Sequence, residues 1–136
     1  MPMTKPAIGD TITTEQAIKL CQHYGLQYLV VRLNEQPQDF KSWIFDGASM
    51  IPDALFSKIF SVKNLIEIAL RHDLKYAYGD LKSAGERKRA DDEFKSELLS
   101  DGVSKLVAHP MYWAVRIFGN GPLKTDFTWG FARKGH

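Results

Sequence analysis

At 136 residues, with 44% apolar and 25% charged side chains and a net charge of +2, the chain has the make-up of one ordinary globular domain. A domain of this length buries roughly 65–70% of its unfolded surface, so it needs neither a disulfide nor a structural metal merely to fold. The weak net charge argues against an acidic tail and against dedicated nucleic-acid binding, no stretch reaches the ~20 apolar residues of a membrane span, and the lone Cys21 excludes an internal disulfide.

Residues 1–12 read as a lead-in. MPMTKPAIGD lacks an apolar core of signal-peptide length, so the expectation is a chain made in the reducing cytoplasm, with any export by a signal-independent route. Thr13, with Gln16 three residues later, has the capping-box pattern and opens a helix to about Tyr24, where Gly25 is the stop. Ile18, Leu20, Cys21 and Tyr24 supply its apolar rows, and Cys21 reads as a packing group rather than a nucleophile. The β-branched run QYLVVRL at 27–33 predicts a short strand, broken by Asn34 to Asp39 with Pro37. From Trp43 to Phe60, large apolar residues alternate with Asp46, Gly47, Pro52 and Asp53, the pattern of an ordered loop pinned by anchors.

Leu65, Ile66, Ala69, Leu70, Leu74 and Ala77 recur at helical spacing and predict a helix over 62–78, ended by Gly79 and Asp80. Ala90, Phe94 and Leu98 form an i, i+4, i+8 row for a second helix over 85–99, with Gly102 as its stop. Antiparallel pairing of these two helices is the expected core. Over 103–118 Pro110 suits the first turn of a new helix better than the middle of an old one. The tail GPLKTDFTWGFARKGH reads as a short hairpin. The fold class is mainly α: an N-terminal extension of helix and strand at 1–42, a helical core at 43–119 and an aromatic, glycine-rich tail at 120–136, all in one compact domain.

Neighbours on a helix point about 100° apart, so His72 can face a substrate while Asp73 faces a neighbouring loop and offers oxygen to a hard cation. Asp91 borders the apolar stripe of its helix, because Phe94 and Leu98 follow it by three and seven residues, while Asp92 turns toward the flank. Asp91 is therefore the better candidate for a buried role; a carboxylate facing another helix needs a specific partner, and His72 is the obvious one, with Asp92 left open as the alternative partner of the imidazole. Such a pair fixes the imidazole tautomer and supports the charge formed when the ring takes a proton from water. Asp73 and Asp46, with a carbonyl of the glycine-containing loop, suit calcium, which would stabilise a developing oxyanion; zinc is disfavoured by the scarcity of nitrogen and sulfur ligands. Asp53 reads as a turn residue, and the run GERKRADDE, apart from Asp91, as a solvated face with local ion pairs whose arginines touch lipid headgroups. Trp43, Trp113 and Trp129 read as core or rim residues, and Arg116 as a structural hydrogen-bond donor to a carbonyl or carboxylate.

In order, DGASMIPD, RHDLKY, RADDEF and YWAVRIFG make residues 45–119 similar to the prokaryotic-type phospholipase A2 family. The resemblance implies a phospholipase A2-like helix pair that hydrolyses the sn-2 ester of glycerophospholipids with a bound calcium ion. It makes His72 the base, Asp91 its orienting partner, and Asp46, Asp73 and the Gly47 carbonyl calcium ligands, with Tyr76 and Asp92 in support. It also implies a phospholipid membrane surface as partner, no nucleic acid, and an antibacterial or phage-linked toxin acting at a membrane, with any inhibitor or delivery partner left open. Ala48 and Ala69 stand where secreted members carry cysteines, so the loop-to-helix staple is missing and with it about 2–4 kcal/mol of constraint. The chain also resembles uncharacterised bacterial and phage proteins that share the HD, AD-x-x-F and AVR-x-FG pattern. The rival expectation is a non-catalytic interaction module of a phage particle or secretion apparatus with a vestigial site.

Overall fold

The computed structural model describes residues 5–45, 64–119 and 128–135. Their order is β1 (Thr11–Ile12), α1 (Thr14–His23), α2 (Gln27–Glu35), a 3-10 turn (Pro37–Asp39), β2 (Trp43–Ile44), α3 (Leu65–Ala77), α4 (Ala84–Ser100) and α5 (Lys105–Phe118). The fold is mainly α, as the sequence implies. The sheet described is an antiparallel pair, Thr11 opposite Ile44 and Ile12 opposite Trp43, which sequence reading takes for lead-in and loop. Two residues are too few for alternation to register.

Local signals at the helix ends hold. Thr13 Oγ1 accepts from Gln16 N at 3.1 Å and Gln16 Oε1 accepts from Thr13 N at 3.0 Å, a complete capping box. Gly25, at φ 73°, ends α1 by letting Leu26 N donate to Cys21 O and Gly25 N to Gln22 O. Gly102, at φ 96°, does the same for α4, with Val103 N on Leu98 O. Both are Schellman closures, in which a left-handed residue satisfies the last carbonyls.

Two expectations are overturned. The run 27–33 is helix, not strand. Its buried residues Leu29, Val30 and Leu33, with partly buried Leu26 before them, are spaced i, i+3, i+4, i+7, while Tyr28 and Val31 stay exposed, so helical period outweighs β-branched propensity. Pro110 lies inside α5 rather than in its first turn. It sits on the exposed side with Leu106, where the carbonyl deprived of its intrahelical donor can take water instead. As for the tail hairpin, residues 128–135 form turns with one bridge, Phe40 to Arg133, and the rest of that expectation lies outside the described residues.

Helices α3 and α4 are antiparallel: Lys75 pairs with Glu93 and Arg71 with Glu97, partners running in opposite directions. Helix α5 returns antiparallel to α4, with Tyr112 against Asp92 and Arg116 against Arg87. One apolar core draws on α2 (Leu29, Leu33), α3 (Leu70, Leu74), α4 (Phe94, Leu98), α5 (Met111, Val115) and the tail (Phe131). Cys21 lies within it, and burial pushes its thiol up to about 12, so it is a packing group.

The tail closes the C-terminal end of α3. Gly130 N donates to Tyr76 O at 2.7 Å, Ala132 N to Ala77 O at 3.0 Å and Arg133 Nε to Gly79 O at 2.7 Å, while Arg32 Nη1 reaches Tyr78 O at 2.8 Å. These are the carbonyls a helix leaves without partners. Trp129 donates its indole N–H to Asp80 O at 2.7 Å and lies so close to Gly79 that an added Cβ would clash with the indole ring atoms. Gly79→Ala is therefore expected to cost about 1–3 kcal/mol by overpacking, read as a lower urea midpoint at unchanged slope; an unchanged midpoint would mean that the tail does not hold this position.

Candidate functional site

The three antiparallel helices converge on Asp91, which is 0% exposed. His72 Nε2 lies 2.8 Å from its Oδ1. The Tyr76 hydroxyl, one turn along α3, donates to both carboxylate oxygens at 2.8 and 2.9 Å. From α5, Arg116 Nη1 donates to Oδ2 at 2.9 Å, and from α4 itself Arg87 Nη1 sits 3.5 Å from Oδ2. A buried carboxylate is tolerated only when paired and hydrogen-bonded, and here four side chains do both.

With the Asp91 carboxylate as the acceptor, His72 Nε2 is the donor of this contact. The imidazole is 3% exposed and held between the rings of Phe94, at 4.4 Å between centroids, and Tyr76, at 4.6 Å. Its orientation is therefore fixed by the packed rings and the Asp91 contact. Burial, and then the adjacent Asp91 charge, push the Tyr76 hydroxyl well above the usual tyrosine range, so it acts as a fixed donor. Behind it, Arg87 Nη1 donates to Tyr76 Oη at 3.2 Å and to the Arg116 carbonyl at 3.3 Å.

The choice between the two adjacent carboxylates is settled by helix rotation. Asp92 points to the flank of α4, where Lys88 Nζ lies 2.8 Å away and the Tyr112 hydroxyl donates to it at 2.8 Å. The Lys88 hydrogen bond holds the Asp92 carboxyl below the usual carboxylate range. Asp92 thus bonds Lys88 and Tyr112 and braces α5 instead. Arg116 is the structural donor the sequence implies, with a carboxylate as its acceptor.

Arg87 is the residue that sequence reasoning missed. The basic run was expected to be solvated, yet Arg87 is buried and belongs to the Asp91 network. The signal was available, since Arg87 precedes Asp91 by four residues and shares its helix face. Glu86 likewise leaves the solvated set to form a two-point pair with Arg32 at 2.9 and 2.9 Å.

Of the residues expected to hold calcium, Asp73 is half-buried on α3, one position from His72. Asp46 and Gly47 lie outside the described residues, as does Asp53. Among the described residues no group of three or more His, Cys, Asp or Glu could hold a metal ion. Asp73 by itself supplies at most two of the roughly six to eight oxygens that calcium takes. A cavity of about 330 Å³ beside Lys5, Asp10 and Lys19 and one of about 360 Å³ between α3 and α4 beside Arg71 and Glu97 are lined by neither His72 nor Asp91. Among the described residues no helix is long and apolar enough to cross a membrane.

No curated protein and no solved structure matches the chain. A family model does match, over residues 30–115, a span that holds α3, α4, His72, Tyr76 and Asp91 and stops one residue short of Arg116. That span is more than half of the chain, which therefore belongs to DUF1353, a family of proteins of unknown function.

Proposed function

We propose that this chain is a hydrolase whose His72 takes a proton from water so that the water oxygen attacks the carbonyl carbon of a glycerophospholipid sn-2 ester. One observation carries the reading: a buried imidazole bonded through Nε2 to an interior carboxylate, with that carboxylate fixed by a tyrosine one turn along the same helix. In the forward step the proton moves to His72 Nδ1, and Asp91 offsets the charge that forms on the ring. When the tetrahedral intermediate collapses, the bond to the lysophospholipid oxygen breaks and that oxygen takes the proton back from His72. Tyr76, Arg116 and Arg87 hold Asp91 in place throughout. Asp73, Asp46 and the Gly47 carbonyl would be among the ligands of a calcium ion, which would supply positive charge to stabilise a developing oxyanion. In the same reading the chain is made in the cytoplasm and delivered to a target membrane as an antibacterial or phage-linked toxin.

Free fatty acid release from mixed phosphatidylglycerol and phosphatidylethanolamine vesicles tests this. Release with calcium that stops with chelator is expected; no release in either condition would overturn the assignment. Asp73→Asn is expected to weaken calcium binding roughly tenfold by titration calorimetry, since one charged ligand is lost, and an unchanged affinity would move the ion elsewhere.

A second reading has one specific observation in its favour. Asp91 is bonded from three helices and fully buried, which is also what a purely structural tie requires. A non-catalytic interaction module of a phage or secretion apparatus would keep that tie without turnover. Calcium-dependent thermal stabilisation separates the two, because binding to the native state alone must raise apparent stability.

A further inference from the structure

Helix α5 is apolar on nearly every side, and a helix of that kind normally lies buried. Here Ala108, Met111 and Val115 face the core, yet Leu106 is 88% exposed, Trp113 58% and Ile117 63%. Spacings of seven and four residues put these three on one face, and Pro110, also exposed, falls between them. Single exposed apolar residues need no explanation; a continuous stripe along a helix does.

The edge of the stripe is basic. Lys105 and His109 are exposed along its border with α4. Beyond them Lys95 of α4 lies over the Tyr112 ring at 4.5 Å. Among the described residues neither Lys105 nor Lys95 forms an ion pair; Asp92 feels the Lys95 charge but is bonded at 2.8 Å to Lys88. We infer that this face of α5 docks on an anionic phospholipid surface, with Leu106, Trp113 and Ile117 entering the boundary between headgroups and acyl chains and the lysines meeting the headgroup phosphates. Charge complementarity points to an anionic surface. A stripe one helix wide offers only a few hundred Å², short of the ~800 Å² per partner that a stable dimer buries, whereas insertion into lipid gains from each apolar side chain separately. An indole is suited to such a boundary because its ring is apolar and its N–H is polar. The inference deepens the hydrolase reading and rests on it for the sense of the encounter, though not for the surface itself.

The test uses the full chain with chelator present, so that neither calcium nor turnover contributes. Phosphatidylglycerol vesicles are compared with phosphatidylcholine vesicles by co-sedimentation and by tryptophan emission, which reports mainly on Trp113 because Trp43 and Trp129 are buried. Binding to the anionic vesicles with a blue shift is expected, weakened roughly tenfold in Leu106→Ser/Ile117→Ser and again by Lys105→Glu, a change that removes no core packing. Equal binding by wild type and variants would overturn the inference, as would wild-type protein that stays in the supernatant, or a dimer that the double variant converts to monomer. Hydrolysis of a monomeric short-chain phospholipid, assayed beside it, keeps the two readings apart. Vesicle binding without hydrolysis removes the enzyme and leaves the docking face; hydrolysis without vesicle binding does the reverse.

Discussion

Asp91→Ala is expected to cost about 3–5 kcal/mol, the range for removing one partner from a buried ion pair. The reason lies in what is stranded. Arg87 is buried and loses its carboxylate, the Tyr76 hydroxyl loses both acceptor oxygens, and His72 Nε2 loses its acceptor, all in the interior where water cannot replace them. Arg116 can turn toward solvent and should contribute less to the loss. Since the groups stranded belong to α3, α4 and α5, unfolding should stay cooperative while the urea midpoint falls. Asp91→Asn, which keeps one acceptor for Tyr76 or Arg116, should lose clearly less. A loss under about 1 kcal/mol for the alanine variant would show that the helices are held by their apolar faces and not by this carboxylate.

His72→Asn should abolish turnover, with a fall of at least 10²- to 10⁴-fold expected from loss of a general base. Stability should suffer much less than in the aspartate variant. The asparagine amide reaches only about as far as Nδ1 and falls short of Asp91, but Tyr76 and Arg116 still donate to that carboxylate, and the cost is the smaller volume left between Phe94 and Tyr76, about 1–2 kcal/mol. Far-ultraviolet circular dichroism and a melting curve beside the fatty-acid assay read both at once. Undiminished hydrolysis in the variant would remove His72 from the mechanism, whereas equal losses of fold and activity would make the histidine a structural member of the network.

What could be read from the sequence was local. The capping box at Thr13 and Gln16 and the glycine stops at Gly25 and Gly102 require only the residues they contain, so they are legible in one dimension. The apolar rows of α3 and α4 were legible for the same reason, and so was the need of Asp91 for a partner. In α2 the β-branched content points to a strand and the spacing to a helix, and packing follows the spacing. The contacts that close the end of α3 were not legible: Trp129 to Asp80 and Arg133 to Gly79 span 49 and 54 residues, and nothing near either residue announces the other.

A mainly α chain, most of its helix boundaries, and an ordered set of imidazole and carboxylate groups on two of those helices can be read from the order of the residues alone. It takes the packed helices to bring Asp91 rather than Asp92 to His72, to turn Arg87 inward, and to leave one apolar face of α5 exposed. Side-chain period is fixed by the backbone of a single helix, but the rotation of that helix about its axis, and hence which of two residues 100° apart is buried, is fixed by what packs against it.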